Sequence, residues 1–189
     1  MKFDFKQINA FLKENFAKKI NIQRLIMFLV ATFVVIICSL PVHSWALHAP
    51  DQKYNVGNFI EINIVLNAGI SFGAFRNNVV FVYSIQTIMA LVLICVVLFT
   101  RIWYFNLTVS IATVGGLFNL IDRMCPKSLE SSGGGIIKNS VLDYFSFFGK
   151  SAIFNLPDVF IIAGVISFCC CVIYKSIIDE KKWKKTTKK

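Results

Sequence analysis

Four stretches of the chain, about 25–43, 79–100, 102–121 and 157–178, are long apolar runs almost free of charge. Each is long enough to cross a bilayer core as a helix, which takes about 20 apolar residues. Between Val79 and Leu120 the only charged residue is Arg101. That stretch is too long for one span. It is therefore predicted to fold back near Arg101 as a tight hairpin, with Thr100, Arg101, Trp103 and Tyr104 at a membrane interface. The pattern changes between the spans. Residues 58–66 alternate for part of their length and are rich in β-branched residues, which favours a strand, and Asn67-Ala68-Gly69 breaks it. A short sheet at the membrane surface is expected there. Residues 126–140 contain Pro126, Ser131, Ser132 and Gly133-Gly134-Gly135, the composition of a flexible loop.

Composition strengthens the membrane reading. Of 189 residues, 56% are hydrophobic and only 16% charged, too apolar for an ordinary soluble domain. The net charge of +10 would raise nucleic-acid binding in a soluble protein. Here the charge flanks the apolar runs and no groove-reading motif is present, so no nucleic-acid partner is expected. The N-terminal flank carries Lys2, Lys6, Lys13, Lys18, Lys19 and Arg24, and the tail carries Lys175, Lys181, Lys182, Lys184, Lys185, Lys188 and Lys189. The 44–78 loop has only Lys53 and Arg76, and the 122–156 loop has Arg123, Lys127, Lys138 and Lys150. The positive-inside rule then places both termini in the cytoplasm and the two longer loops outside. The tail also suits anionic headgroups, so membrane lipids are expected partners. A cleavable signal peptide is the competing reading of the run Leu25–Leu40. The expected architecture is an all-α membrane protein of four transmembrane helices, with a small extracytoplasmic β-strand region and a flexible outer loop. Residues 1–24 would be a basic cytoplasmic segment, 25–178 the four-helix membrane domain, and 179–189 a basic cytoplasmic tail. Of the six cysteines, only Cys125 lies in a polar stretch, and none shows zinc-ligand spacing with histidine.

Acidic residues are scarce, ten in all, and three of them (Asp122, Asp143 and Asp158) fall beside the outer ends of the third and fourth spans. An ionisable group next to hydrocarbon is costly unless paired or used. Each also has a purely structural reading. Asp158 follows Asn155 and Pro157 at the start of an apolar run, where it would complement a helix N-terminus capped by Asn155. Asp143 would be a loop carboxylate with a local hydrogen bond, although Val141, Leu142, Tyr144 and Phe145 around it are large and apolar. Asp122 would pair with Arg123. His43 and His48 are placed in the first outer loop. Two carboxylates brought together against an apolar wall can share a proton. One then activates water while the other, its pKa raised, donates to the substrate. Such chemistry needs neither a metal nor an organic cofactor, and none is expected.

Four blocks make the pattern specific. Asn67-Ala68-Gly69-Ile70-Ser71-Phe72-Gly73 precedes the second span, and Gly115-Gly116-Leu117-Phe118-Asn119-Leu120-Ile121-Asp122-Arg123 ends the third. Val141-Leu142-Asp143-Tyr144-Phe145 follows, and Phe154-Asn155-Leu156-Pro157-Asp158 opens the fourth. In type and order these resemble the blocks of the lipoprotein signal peptidase (type II signal peptidase) family. The resemblance covers roughly 58–165. It implies Asp143 and Asp158 as the catalytic pair, with Asn67, Gly69, Gly115, Asn119, Asp122, Arg123 and Asn155 as substrate-binding or supporting residues. The chain departs from the family at several places. Its first span lacks the Asp and the Lys one turn later that are usual there. Phe118 and Pro157 replace small residues, and the segment between Arg123 and Asp143 is longer than usual.

The resemblance also implies an aspartic endopeptidase that removes the signal peptide from diacylglyceryl-modified prolipoproteins, cleaving before the lipidated cysteine. It would act as a monomer in the bacterial cell membrane, with its site at the outer face and residues 126–140 as a lid. A catalytically inactive relative that binds lipoprotein precursors is one alternative, separable only by an activity assay. A small polytopic transporter subunit is another, and it would place its carboxylates in mid-span.

Overall fold

The computed structural model describes residues 5–15, 18–49, 53–56, 60–70, 73–128, 135–147 and 152–186. A short amphipathic helix, α1 (Phe5–Asn15), leads into α2 (Lys18–Leu47). Strands β1 (Lys53–Val56) and β2 (Ile60–Asn67) follow, then α3 (Val79–Phe99) and α4 (Trp103–Met124). After α4 come β3 (Lys127–Ser128), β4 (Ile136–Ile137), β5 (Val141–Phe147) and β6 (Ile153–Phe154), and finally α5 (Leu156–Thr186). Helices α2 to α5 are each long and apolar enough to cross a membrane. They coincide with the four predicted spans, and the hairpin at Arg101 lies between α3 and α4 as expected.

The helices expose what a soluble protein hides. Leu29, Phe33, Ile37 and Leu40 of α2, and Ile88, Leu91 and Val92 of α3, face outward. Hydrocarbon is the solvent that makes such a surface stable, since lipid tails solvate leucine as well as another side chain does. Inside, α4 is the hub, packing on α5, α2 and α3. Ala31, Val35 and Val114 form the buried seam between α2 and α4. Small residues let the backbones approach. A Cβ added at Gly164 would lie 2.7 Å from the Thr108 carbonyl oxygen and 2.8 Å from the Ala112 nitrogen. One added at Gly115 would lie 2.7 Å from the Pro157 carbonyl oxygen. With no hydrophobic drive between helices in lipid, this close packing is what holds α4 against α5.

The hairpin end of the bundle is closed by polar contacts to free carbonyls. Arg24 Nε donates to Thr100 O at 3.1 Å, and Gln23 Nε2 to Arg101 O at 3.0 Å. Asn106 Nδ2 donates to Val97 O at 2.8 Å. At the other end sits an antiparallel sheet in the order β1-β2-β5-β6. Of the expected strand at 58–66, residues 60–66 belong to β2, while 58 and 59 lie outside the described residues. The last turns of α2 pack on this sheet. Ala46 and Ala49 join Ile64, Leu142 and Tyr144 in one buried cluster, with Val42 and Leu47 against it. That burial explains why α2 runs on through Pro41, which lacks the N–H of a regular helical bond. His43 therefore lies in α2 and not in a loop, and His48 follows the helix end directly, its Nδ1 2.8 Å from Ser44 O. In the 126–140 segment, β3 and β4 pair with each other through Lys127 and Ile137. Residues 129–134 lie outside the described residues.

Gly164→Val should lower stability by about 1–3 kcal/mol through overpacking at the α4–α5 crossing. Thermal unfolding in detergent measures this, and an unchanged midpoint would mean the two helices have room to separate there.

Candidate active site

The sheet meets α4 and α5 at one end of the bundle, and there the three aspartates come together. Strand β5 carries Asp143, which pairs in register with Val65 of β2. Strand β6 leaves β5 after the Phe145–Phe154 pair and runs straight into Asn155 and α5. The chain is thereby led from the strand holding Asp143 to the helix turn holding Asp158. Asn155 caps that helix. Its Oδ1 accepts from Asp158 N at 2.9 Å, and its own N–H donates to Asp158 Oδ2 at 3.2 Å. This reciprocal arrangement is a capping box, so the structural reading of Asp158 holds. It does not use up the residue. Asp158 Oδ1 accepts from Asn119 Nδ2 of α4 at 2.7 Å.

The Asn155 side chain does more than cap. Its Nδ2 donates to Asp143 Oδ1 at 2.9 Å and to Asn119 Oδ1 at 3.1 Å. Asn67 Nδ2 donates to Asp143 Oδ2 at 2.9 Å. Asn155 and Asn119 thus link the two carboxylates into one hydrogen-bonded chain, and Asn67 holds its Asp143 end. Asp143 is only 3% exposed. Burial raises its pKa to about 7, the two amide donors oppose that rise, and the neighbouring Asp158 charge adds to it. Tyr144, next along β5, has its phenol pushed up to about 12, chiefly by burial. Its hydroxyl accepts from Leu156 N at 3.1 Å, satisfying an orphan amide of the first turn of α5.

Asn67 is held in turn. Its Oδ1 accepts from Gly69 N at 2.9 Å, and the loop closes with Ile70 N donating to Ala74 O at 2.8 Å. A Cβ at Gly69 would fall 2.4 Å from the Gly73 carbonyl carbon, and Gly73 has a φ of 72°. Both positions need glycine, one for close approach and one for the left-handed backbone. Arg123, fully buried at the end of α4, clamps this loop. Its Nη1 donates to Ala68 O at 3.0 Å, Asn67 O at 3.3 Å and Asn139 O at 2.9 Å. Nη2 donates to Gly69 O at 2.7 Å, and Nε to Gln86 Oε1 of α3 at 2.9 Å.

The expected Asp122–Arg123 pair gives way to another arrangement. The guanidinium turns to carbonyls, and the Asp122 carboxylate turns to His43 Nε2 at 3.2 Å and Lys127 Nζ at 3.1 Å, while its Oδ2 accepts from Leu142 N at 2.9 Å. Adjacent helical residues point about 100° apart, so a buried pair of neighbours cannot easily face each other. Four partners escape the sequence reading. Gln86 is findable, being a polar residue alone in an apolar span. His43 reads as a loop residue because it falls where the apolar run of the first span ends, whereas the helix continues to Leu47. Lys127 and Tyr83, whose hydroxyl donates to Arg123 O at 3.1 Å, carry no local signal. Phe118 packs edge-on against His43 with ring centroids 5.6 Å apart, which accounts for an aromatic residue beside Asn119. All nine residues expected at the site lie at this end of the bundle: Asn67, Gly69, Gly115, Asn119, Asp122, Arg123, Asp143, Asn155 and Asp158.

A bundle of four spans with linked carboxylates at one end defines a polytopic membrane protein whose polar cluster sits at one end of the apolar helices and not in mid-span. A family model described as signal peptidase (SPase) II matches residues 31–174, and the chain belongs to that family. It is 32% identical over 185 residues to a lipoprotein signal peptidase of Mycoplasmoides gallisepticum, covering 95% of this chain and 58% of that protein. It is 34% identical over 171 residues to one of Malacoplasma penetrans, covering 88% and 71%. The chain thus spans little more than half of the first relative's length. A solved bacterial membrane enzyme, determined in meso at 2.3 Å, shares the fold with a TM-score of 0.62 at 19% identity, over 79% of this chain and 88% of that one. The protein is a multi-pass bacterial membrane protein.

The Asp143 titration has a consequence for stability. From about pH 4 to about pH 7 the folded chain keeps a proton on Asp143 that the unfolded chain has lost. Stability therefore falls as pH rises through that window and levels off above it. Asp143→Asn removes the titration, so its melting temperature relative to the unsubstituted protein should rise between about pH 4 and pH 8. A difference that stays constant with pH would mean that folding leaves Asp143 unperturbed.

Proposed function

We propose that the chain is an aspartic endopeptidase that removes signal peptides from diacylglyceryl-modified prolipoproteins, cleaving before the lipidated cysteine, with Asp143 and Asp158 as its catalytic pair. The observation that carries the reading is the asparagine-linked carboxylate pair, in which one member is pushed up to about 7. Membership of the signal peptidase (SPase) II family and relatives named lipoprotein signal peptidase support the substrate class.

Asp158, in the more exposed position, takes a proton from water as general base. The water oxygen attacks the scissile carbonyl carbon while protonated Asp143 donates to the carbonyl oxygen. The tetrahedral species collapses as Asp158 returns its proton to the leaving amide nitrogen and the C–N bond breaks. Asp143 recovers its own proton as the new carboxyl group forms. Asn67, Asn119 and Asn155 hold the two carboxyl groups in orientation. Gly69 and Gly115 permit the backbone approaches, and Asp122 and Arg123 secure β5 and the 67–69 loop.

The Lys and Arg distribution supports both termini in the cytoplasm, with 1–24 and 179–189 as basic flanks of a membrane peptidase domain over 25–178. The site then faces outward, and the signal helix and acyl chains of a substrate enter sideways from the bilayer. The protein acts as a monomer among membrane lipids.

With a purified lipidated precursor, Asp143→Asn and Asp158→Asn should each insert normally and lose at least about 100-fold in turnover. Wild-type-like cleavage by either variant removes that residue from the pair. Turnover should also fall as pH rises through about 7, where Asp143 loses its proton. Orientation has its own check. Cys125 is exposed at the site end, so a membrane-impermeant maleimide should label intact cells and fail on Cys125→Ser; labelling only after lysis would reverse the topology.

A further inference from the structure

The longer segment between Arg123 and Asp143 carries a lysine in an unusual place. The Lys127 side chain is only 3% exposed. Burying an ammonium is costly unless it is paired and its protons are all directed to acceptors. Lys127 Nζ meets that condition. It lies 3.1 Å from Asp122 Oδ1, donates to Ser140 O at 2.7 Å and Cys125 O at 3.2 Å, and makes a further bond to Asp122 O.

One of these contacts, and one made by Asp122, converge on the start of the strand that holds Asp143. Ser140 O binds the ammonium directly, and Leu142 N donates to the other oxygen of Asp122 at 2.9 Å. Residues 140 and 142 share parity, so their backbone groups leave the strand by the same edge. Among the described residues the β6 ladder covers β5 only at Phe145 and Ser146, while β2 pairs with the opposite edge from Val141 on. Ahead of that point, Asp122 and Lys127 occupy the place of a neighbouring strand. His43 reaches the same carboxylate from α2, but its hydrogen bond ends on Asp122 and not on the strand.

We propose that Lys127 is a positioning residue for the Asp143 carboxyl group: paired with Asp122 and bonded to Ser140, it fixes the edge of the beginning of β5 that faces away from β2. The lysine touches neither aspartate of the proposed pair. It acts through Asp122, whose charge it balances and whose orientation presents Oδ2 to Leu142. Its effect on cleavage rests on the proposed peptidase activity, whereas its effect on the strand does not.

The test uses full-length Lys127→Met, Asp122→Asn and the double variant, each read two ways. Hydrogen exchange across 140–147 reports the strand directly. It should speed up in Lys127→Met, where a buried carboxylate has lost its counter-charge. It should slow again in the double variant, where the uncharged amide in place of the Asp122 carboxylate can still accept from Leu142 N. Cleavage of a lipidated precursor should show kcat lowered about 10- to 100-fold in Lys127→Met with KM nearly unchanged, and partial recovery in the double variant. Losses that simply add, unchanged exchange, or a raised KM at constant kcat would overturn the proposal. If the unsubstituted protein cleaves nothing, the peptidase reading fails, and the exchange comparison still decides the role of Lys127. If Lys127→Met does not accumulate in the membrane, recovery of its level by Asp122→Asn supports the coupling and continued absence refutes it.

Discussion

A guanidinium buried inside the protein must be ringed by acceptors, because no water reaches it there. Arg123 satisfies that demand with the carbonyls of Asn67, Ala68, Gly69 and Asn139 and the side chain of Gln86. Those five partners come from β2, the loop after it, the approach to β5, and α3. One buried charge at the end of α4 therefore fixes where the sheet sits on the bundle. The 67–69 loop then presents Asn67 to Asp143, and the tight turn around Gly69 and Gly73 keeps it there.

The carboxylates face the opposite problem. Each must be kept close to an apolar wall without being fully neutralised, or it would have no acid–base use. Salt bridges would hold both ionised, and complete desolvation without donors would hold both protonated. Asparagine amides lie between these limits, since they donate without carrying charge. Asp143, with two such donors and strong burial, is raised to about 7, whereas Asp122, one helical turn from Asn119, is given charged company in Lys127. Asp143 and Asp158 thus both take uncharged amide donors, whereas Asp122 is held by a lysine and a histidine.

The same residues serve fold and site. Asn155 caps α5 and bridges Asp143 to Asn119. Tyr144 fills the sheet core and accepts from the first amide of α5. Gly115 lets α5 approach α4, which brings Asn119, one turn further on, within reach of Asp158. A substitution at any of these is felt in both stability and geometry, so the boundary between scaffold and chemistry is not drawn residue by residue.

The four spans, the hairpin at Arg101, the strand after residue 60 and the identity of the three aspartates were all legible from the chain alone. Hydrophobicity over about 20 residues is a local property, and a carboxylate beside such a run is conspicuous wherever it lies. Block order along the chain further singled out Asp143 and Asp158. What the chain alone left open was the company each polar group keeps. It suggested Arg123 for Asp122, since they are neighbours in sequence, and the fold supplied Lys127 and His43 instead. It ended the first span near residue 43, and burial against the sheet carried the helix on to Leu47. Only the tertiary structure decided these points, because a buried charge is satisfied by whichever acceptor or donor the crossing of distant backbones brings within about 3 Å, and no local pattern encodes that crossing.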